Sequence, residues 1–166
     1  FAVTNGPGSF TGIKVGVAFT QFTAWAAGKK IIPLSSLEIM ALSHIRQEDS
    51  YVLSMIRGGG GKAYAALYHG NSALERPECL MAEKAYSPVE LEQRLGEFSG
   101  FSKNLLWAAD DPGKISRSFH PAGIPFPQQK TVPSGAVAVR LASLKKSEAI
   151  AAKEIRGRYL KDPDLG

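Results

Sequence analysis

The chain has 166 residues, of which 44% are hydrophobic and 21% charged, and its formal net charge is +5. This composition is typical of a globular protein and excludes a disordered or fibrous chain. The single cysteine, Cys79, excludes an internal disulfide framework and favours a cytoplasmic location. The apolar stretch from Val15 to Ala27 includes polar residues and is too short to cross a bilayer, so no membrane association is expected.

The chain opens with a predicted strand at Phe1 to Val3, followed by a glycine-rich turn. Gly6 and Gly8 permit backbone angles that other residues avoid, and Ser9 has the hydroxyl that an N-cap requires. Such a turn can approach a phosphate at the helix N-terminus, or a neighbouring chain. Gly6, Gly8 and Ser9 are therefore a candidate phosphate-binding turn, and an ordinary structural turn is the alternative.

A helix is predicted from Ser9 to about Ala27, closed by Gly28. One face is bulky and is expected to pack into the core; it comprises Val15, Ala18, Phe19, Phe22, Trp25 and Ala26. The other face has small residues at spacings of three and four, namely Gly12, Gly16, Thr20, Thr23 and Ala27. A second helix could approach this small-residue face closely, which makes it a candidate interface, with internal packing as the alternative.

Further elements follow in order. A strand at Ile31 to Leu34 precedes a helix that runs to about Arg46, with Ser35 and Glu38 in capping-box spacing. The pattern then predicts strands at Tyr51 to Ile56, Ala63 to Tyr68 and Leu105 to Ala109, a helix opened by Ser87-Pro88-Val89-Glu90, a turn at Asp110 to Gly113, a proline-rich loop from His120 to Pro133, and a helix from Ser134 towards Lys146.

Two stretches of this sequence match a known family. The run Gly6 to Gly12, continued by Ile13 to Ala18 and by Ile32 to Glu38, resembles the TsaB (YeaZ-type) family. The resemblance implies the α/β fold of the actin-like, Hsp70 and sugar-kinase (ASKHA) superfamily, with mixed sheets flanked by helices. It begins within the family's first domain. We therefore expect residues 1–46 to be the later part of a truncated first domain, and residues 47–166 to be a second domain with a basic tail.

The resemblance also implies a function. The family is the non-catalytic subunit of the bacterial machinery that makes threonylcarbamoyladenosine in tRNA, at adenosine 37. Its partners are the catalytic sister TsaD and the ATPase TsaE, with tRNA contacted indirectly; a homodimer is a further possibility. The helix at 9–27 would contribute to the contact with the sister. ATP and metal belong to the partner subunits, so this chain is expected to bind no cofactor directly.

The metal site of the catalytic sister is expected to be missing here. The sister has a His-x-x-x-His pair on one helical face, whereas this chain has Ser36 and Met40 at those positions. A neutral hydroxyl and a thioether are poor ligands for iron or zinc, and the histidines His44, His69 and His120 share no ligand spacing. The residues therefore predict that this chain lacks the metal centre of the sister, and the resemblance implies a scaffold role.

The chain departs from the family between its two central predicted strands. Relatives carry a motif of the form Asp-Ala-Arg-x-x-Glu-Val-Tyr, whereas Arg57, Gly59 and Lys62 occupy the charged positions here, and only Tyr64 matches. An interaction made by the carboxylates of relatives would be lost or reversed.

The C-terminal segment is rich in cations. Lys153, Arg156, Arg158 and Lys161 are candidate RNA contacts, and a solvated basic surface is the alternative.

The sequence leaves two other functions open. The first is a nucleotide-binding ATPase of the same superfamily, which the glycine turn alone does not exclude. The second is a peptidase-like protein, which is less favoured because Ser9, Ser35 and Ser36 have no recognisable His and Asp partners. Cys79 likewise has no histidine motif nearby.

Overall fold

A computed structural model of the protein describes residues 1–45, 49–71, 76–98, 105–119 and 130–159. The strands are β1 (Ala2–Gly6), β2 (Ile32–Ser35), β3 (Ser50–Arg57), β4 (Ala63–Gly70), β5 (Glu78–Tyr86) and β6 (Leu105–Ala109). The α-helices are α1 (Phe10–Ala26), α2 (Ser36–Leu42), α3 (Pro88–Gly96), α4 (Pro112–Ile115) and α5 (Gly135–Leu144). Short 3-10 turns follow at Lys146–Glu148 and Ala152–Glu154.

The first sheet consists of β1 and β2, which pair in parallel. Helix α1 lies against this sheet and buries Ile13, Val17 and Ala24 in a cluster with Val3. Ile155, near the end of the described chain, belongs to the same cluster. The first and last parts of the sequence therefore share one apolar core.

The second sheet has four strands in the order β5-β4-β3-β6. β3 and β4 form an antiparallel hairpin, β4 pairs antiparallel with β5, and β3 pairs in parallel with β6. Apolar side chains cover both faces. Leu53 of β3 clusters with Leu91 of α3 and Ile115 of α4, whereas Val52 clusters with Met40 of α2. Helix α2 thus follows directly from the first sheet and packs on the second.

The observed elements confirm the predicted α/β fold with mixed sheets and flanking helices. Ser9, Ser35 and Ser87 are the N-caps of α1, α2 and α3, and Ser87 forms a complete capping box with Glu90. The turn predicted at Asp110 to Gly113 instead starts a short helix, α4, because Asp111 caps it by accepting from the Lys114 amide at 3.2 Å.

Three further predictions differ from the structure or fall outside it. Helix α2 ends at Leu42, before the predicted end at Arg46, which lies outside the described residues. The predicted capping box of α2 is only half formed, because Ser35 caps the helix but Glu38 binds two cations instead. Residues 120–129 of the predicted proline-rich loop also lie outside the described part.

The predicted orientation of α1 is wrong. Its bulky face was expected in the core, yet Val15, Phe19, Phe22 and Trp25 are 64%, 73%, 69% and 69% exposed. The β1–β2 sheet is instead covered by the medium and small side chains of α1. The helix is apolar on nearly all sides, so two of its faces could have formed the core.

Candidate functional site: an exposed helix face and an adjoining cleft

The glycine-rich turn between β1 and α1 is shaped by the C-terminal segment. Gly6 has a φ of +127°, and a Cβ added there would lie 2.4 Å from the backbone oxygen of Arg158. At Gly8 an added Cβ would meet no atom within 4 Å. Ser9 Oγ accepts a hydrogen bond from the Gly12 amide at 3.4 Å. Gly6 is therefore required by close packing within the chain, and its role in binding phosphate stays a prediction.

Two of the four predicted RNA-contacting cations, Arg156 and Arg158, have hydrogen-bond partners within the protein. The Arg158 backbone amide donates to the backbone carbonyl oxygen of Asn5 at 2.6 Å. The Arg158 guanidinium forms an ion pair with the Glu83 carboxylate at 2.6 Å. Arg156 donates to backbone oxygens, including that of Lys153 at 2.6 Å. Lys153 itself is exposed, and Lys161 lies outside the described residues. Arg158 thus ties the C-terminal segment to both sheets, and the RNA role of these residues stays a prediction.

A cleft of about 640 Å³ lies beside the start of α1. Gly8, Ser9, Ser36, Met40 and Arg57 are among the residues that line it. Ser36 and Met40, at the positions where the resemblance implies histidines in the catalytic sister, therefore both line this cleft.

The described histidines do not converge on this cleft. His44 Nδ1 lies 3.0 Å from the Met40 oxygen, whereas the His69 ring packs on Tyr51 with 4.8 Å between centroids. His120 lies outside the described residues. Across the described ranges, no three His, Cys, Asp or Glu side chains form a group that could hold a metal ion.

A second cavity, also of about 640 Å³, contains a buried ionic network. Glu38 is 4% exposed; its Oε1 accepts from Arg76 Nε at 2.6 Å and its Oε2 from Lys145 Nζ at 3.3 Å. Lys145 also pairs with Glu148 at 3.1 Å. Burial alone would lower the pKa of Arg76, but its hydrogen bond and charge interaction with Glu38 raise that pKa. The network links α2 to the segments around β5 and α5.

Tyr68 lines the same cavity and donates to Glu83 at 2.5 Å. Burial raises the pKa of the Tyr68 hydroxyl, and the Glu83 carboxylate raises it further. Cys79 is exposed at this cavity, and partial burial raises the pKa of its thiol. A raised pKa favours the neutral form of each of these two groups.

One face of α1 exposes four large apolar side chains. Phe22 and Trp25 lie side by side, with 6.3 Å between ring centroids, and Val15 and Phe19 extend the face towards the start of the helix. Apolar faces of this kind mark surfaces that bind other proteins. We call Val15, Phe19, Phe22 and Trp25 the aromatic face.

The small-residue face lies to one side of the aromatic face. Gly12 and Ala27 are exposed, whereas Gly16, Thr20 and Thr23 are partly buried. A Cβ added at Gly16 would lie 3.9 Å from the Val3 side chain, which is ordinary contact distance. The interface role predicted for these five residues stays a prediction. The sequence did not reveal the aromatic face as a surface, because large apolar side chains were expected to be buried in the core.

Comparisons with known proteins agree on the fold. Two solved structures, described as "YeaZ from Pseudomonas aeruginosa" and as "an uncharacterized protein with similarity to peptidase YEAZ from Pseudomonas aeruginosa", each superpose with a TM-score of 0.74. Each is 19% identical, and the alignment covers 96% of this chain and 72% of that chain. The chain therefore has the same fold as these two proteins.

Sequence comparison is more specific. Residues 1–124 match the family model described as "TsaD: tRNA N6-adenosine threonylcarbamoyltransferase". The chain is also 35% identical over 75 residues to the tRNA threonylcarbamoyladenosine biosynthesis protein TsaB of Bacillus subtilis, a match that covers 45% of this chain and 32% of that protein. The chain belongs to the family that this model describes, and it is similar in sequence to TsaB. Its match spans about a third of the length of this relative.

The helices of the structure can be compared with the length of a membrane span. Within the described ranges, the structure contains no helix with the length and apolar character needed to cross a bilayer.

Proposed function

We propose that this chain is a non-catalytic partner subunit in the biosynthesis of threonylcarbamoyladenosine in tRNA, and that it pairs with the catalytic sister TsaD through α1. The observation that carries the proposal is the aromatic face, whose four apolar side chains are each at least 64% exposed. A surface helix that packs only on its own sheet would have polar residues there. The similarity to TsaB and the match to the TsaD family model support TsaD as the partner in this proposal.

The residues of the cleft support a scaffold role. Ser36 and Met40 offer a neutral hydroxyl and a thioether at the positions where the sister has a metal-binding pair. Catalysis would belong to TsaD, and TsaE would join the assembled pair. This chain would supply the surface that holds TsaD in its active arrangement, and tRNA would reach the pair mainly through TsaD.

Co-purification with TsaD tests the pairing. Burying one Phe side chain contributes about 1.5–3 kcal/mol, or roughly ten- to hundredfold in affinity. Phe22→Asp also places a charge at the contact, so we expect binding to fall by at least about tenfold. Val89→Asp is the matched control, because Val89 is 64% exposed on α3, away from α1. Equal binding by both variants would refute the pairing through α1.

The modification itself is tested by reconstitution. Omitting this chain from a mixture of TsaD, TsaE, tRNA and threonylcarbamoyl-adenylate should abolish the product nucleoside, measured by mass spectrometry of digested tRNA. Adding Phe22→Asp should restore far less product than Val89→Asp. Full product without this chain would refute its role in the pathway.

Nucleotide binding is a second candidate function. The cleft lies at the start of α1, where Ser9 caps the helix, and Arg57 lines the same cleft. Helix N-termini and guanidinium groups both favour phosphate. Calorimetric titration with ATP distinguishes the two functions, because the scaffold role requires no nucleotide in this cleft.

A further inference from the structure

The turn between β3 and β4 closes over a depression that the proposed function does not use. The depression has a volume of about 290 Å³ and lies between this turn and the residues that follow α4. Four cations line it, namely Arg57, Lys62, Lys114 and Arg117, and all four residues are exposed. Among its described lining residues there is no carboxylate.

The backbone of this turn is exposed at residues 59–61, between Arg57 and Lys62. It is closed by hydrogen bonds from the Gly58 amide to the Lys62 oxygen at 3.0 Å and from the Lys62 amide to the Gly59 oxygen at 3.3 Å. Gly60 and Gly61 have φ values of +62° and +72°, which favour glycine. The amides of residues 59–61 lie outside the turn's own hydrogen bonds, and all three glycines are exposed. A phosphate could therefore approach the backbone closely.

The nearest carboxylates reduce the positive charge only in part. Asp111 Oδ2 pairs with Lys114 Nζ at 3.1 Å, and Asp110 Oδ1 accepts from the Arg57 amide at 2.9 Å. The hydrogen bond with Lys114 lowers the pKa of Asp111, and the charge of Arg57 lowers it further. A third carboxylate, Glu90, is also near: hydrogen bonds with Ser87 lower its pKa, and the charge of Lys62 lowers it further. Four cations thus have three carboxylates near them, and none of these carboxylates lines the depression.

We propose that this depression binds the phosphodiester backbone of RNA. Its cations are on long exposed side chains, which suit several phosphates along a polymer better than one enclosed small anion. Phe119 is the aromatic residue among its described lining residues, and it is buried, so its ring is not available to stack on a base. Binding should therefore be independent of base sequence. The proposal rests on the proposed function in one respect, because a tRNA is the RNA that the subunit would meet.

The test is fluorescence anisotropy of the chain with labelled tRNA over several salt concentrations. The variant Lys62→Ala/Lys114→Ala/Arg117→Ala removes three charges from the depression. The control Lys29→Ala/Lys30→Ala/Lys146→Ala removes three exposed charges elsewhere. Each lost phosphate contact lowers the slope of log affinity against log salt by about 0.7–0.9. We expect the first variant to bind at least about tenfold more weakly at low salt, with a slope shallower by about two, and the control to bind within about threefold of wild type.

Other outcomes separate the alternatives. Equal slopes for the two variants, or no binding by wild type, would overturn the proposal. So would displacement of the RNA by ATP beyond the effect of matched ionic strength, because that result would indicate a nucleotide site. Lys62→Glu/Arg117→Glu, with thermal unfolding as a check on folding, should weaken RNA binding still further. Binding to TsaD should be unchanged in these variants, so failure here and failure of the pairing through α1 would be seen in different assays.

Discussion

Replacing Glu38 by Gln should destabilise the fold strongly. The Glu38 carboxylate is buried and binds two cations, Arg76 and Lys145, which approach it from different parts of the chain. The amide of Gln has nearly the same shape but has no charge. The substitution therefore tests the electrostatic contribution of the network without leaving a cavity.

The magnitude follows from the burial of the two cations. Removing one partner of a buried ion pair costs about 3–5 kcal/mol, because the other charge is left uncompensated. The Arg76 side chain is 43% exposed, so water can solvate it once Glu38 is neutral. The Lys145 side chain is only 9% exposed, but it keeps Glu148 at 3.1 Å. We therefore expect the free energy of unfolding to fall by about 3 kcal/mol, at the lower end of this range.

Urea unfolding at neutral pH is the assay, and Glu97→Gln is the control. Glu97 pairs with Arg94 on the surface, with both side chains at least half exposed, so its loss should cost less than about 0.5 kcal/mol. The double variant Glu38→Gln/Lys145→Met should recover part of the lost stability, because it removes the uncompensated ammonium. A loss at Glu38 below about 1 kcal/mol, or equal to that at Glu97, would refute the reasoning.

Two further predictions concern single positions. Because its pKa is raised, Tyr68 in the folded chain keeps its proton above pH 10, where tyrosine in the unfolded chain loses its proton. Above pH 10 the free energy of unfolding should therefore fall by about 1.4 kcal/mol per pH unit from this group alone. Urea unfolding between pH 9 and 11 should show a shallower fall for Tyr68→Phe, and parallel profiles would contradict this. Gly6→Ala should lower stability by about 2 kcal/mol or more, because the added Cβ would lie 2.4 Å from a backbone oxygen at a φ of +127°. Gly8→Ala, where no atom lies within 4 Å, should change it by less than about 0.5 kcal/mol in the same thermal unfolding assay, and similar losses at both glycines would exclude the steric explanation.

Local signals were sufficient to predict most of the elements. Ser9, Ser35 and Ser87 stand before apolar helical patterns, and each caps the helix predicted to follow. Strand β5 was missed. Its residues Glu78–Tyr86 include several charged side chains, and its conformation is stabilised by pairing with β4 along one edge of the sheet. Such pairing between distant residues leaves little trace in a single sequence.

The candidate site was harder to predict than the fold. Helix α1 has apolar residues on nearly every side, so periodicity alone could not decide which face packs on the sheet. For the cations near the C-terminus, the sequence did not reveal which of them are paired within the protein. Arg158 looks like a free surface charge in the sequence, but its partner Glu83 lies 75 residues away. Only the return of the C-terminal segment to β1 brings the two together.

The contact between α1 and the catalytic sister is the central claim, and site-specific photocrosslinking tests it most directly. Benzoylphenylalanine would be introduced at Phe22 in one variant and at Val89 in another, both on exposed helical surfaces. After mixing with TsaD and irradiation, the probe at residue 22 should give a covalent heterodimer that mass spectrometry maps to one helix of TsaD, and the probe at residue 89 should give none. Crosslinking from residue 89 with none from residue 22 would contradict the account.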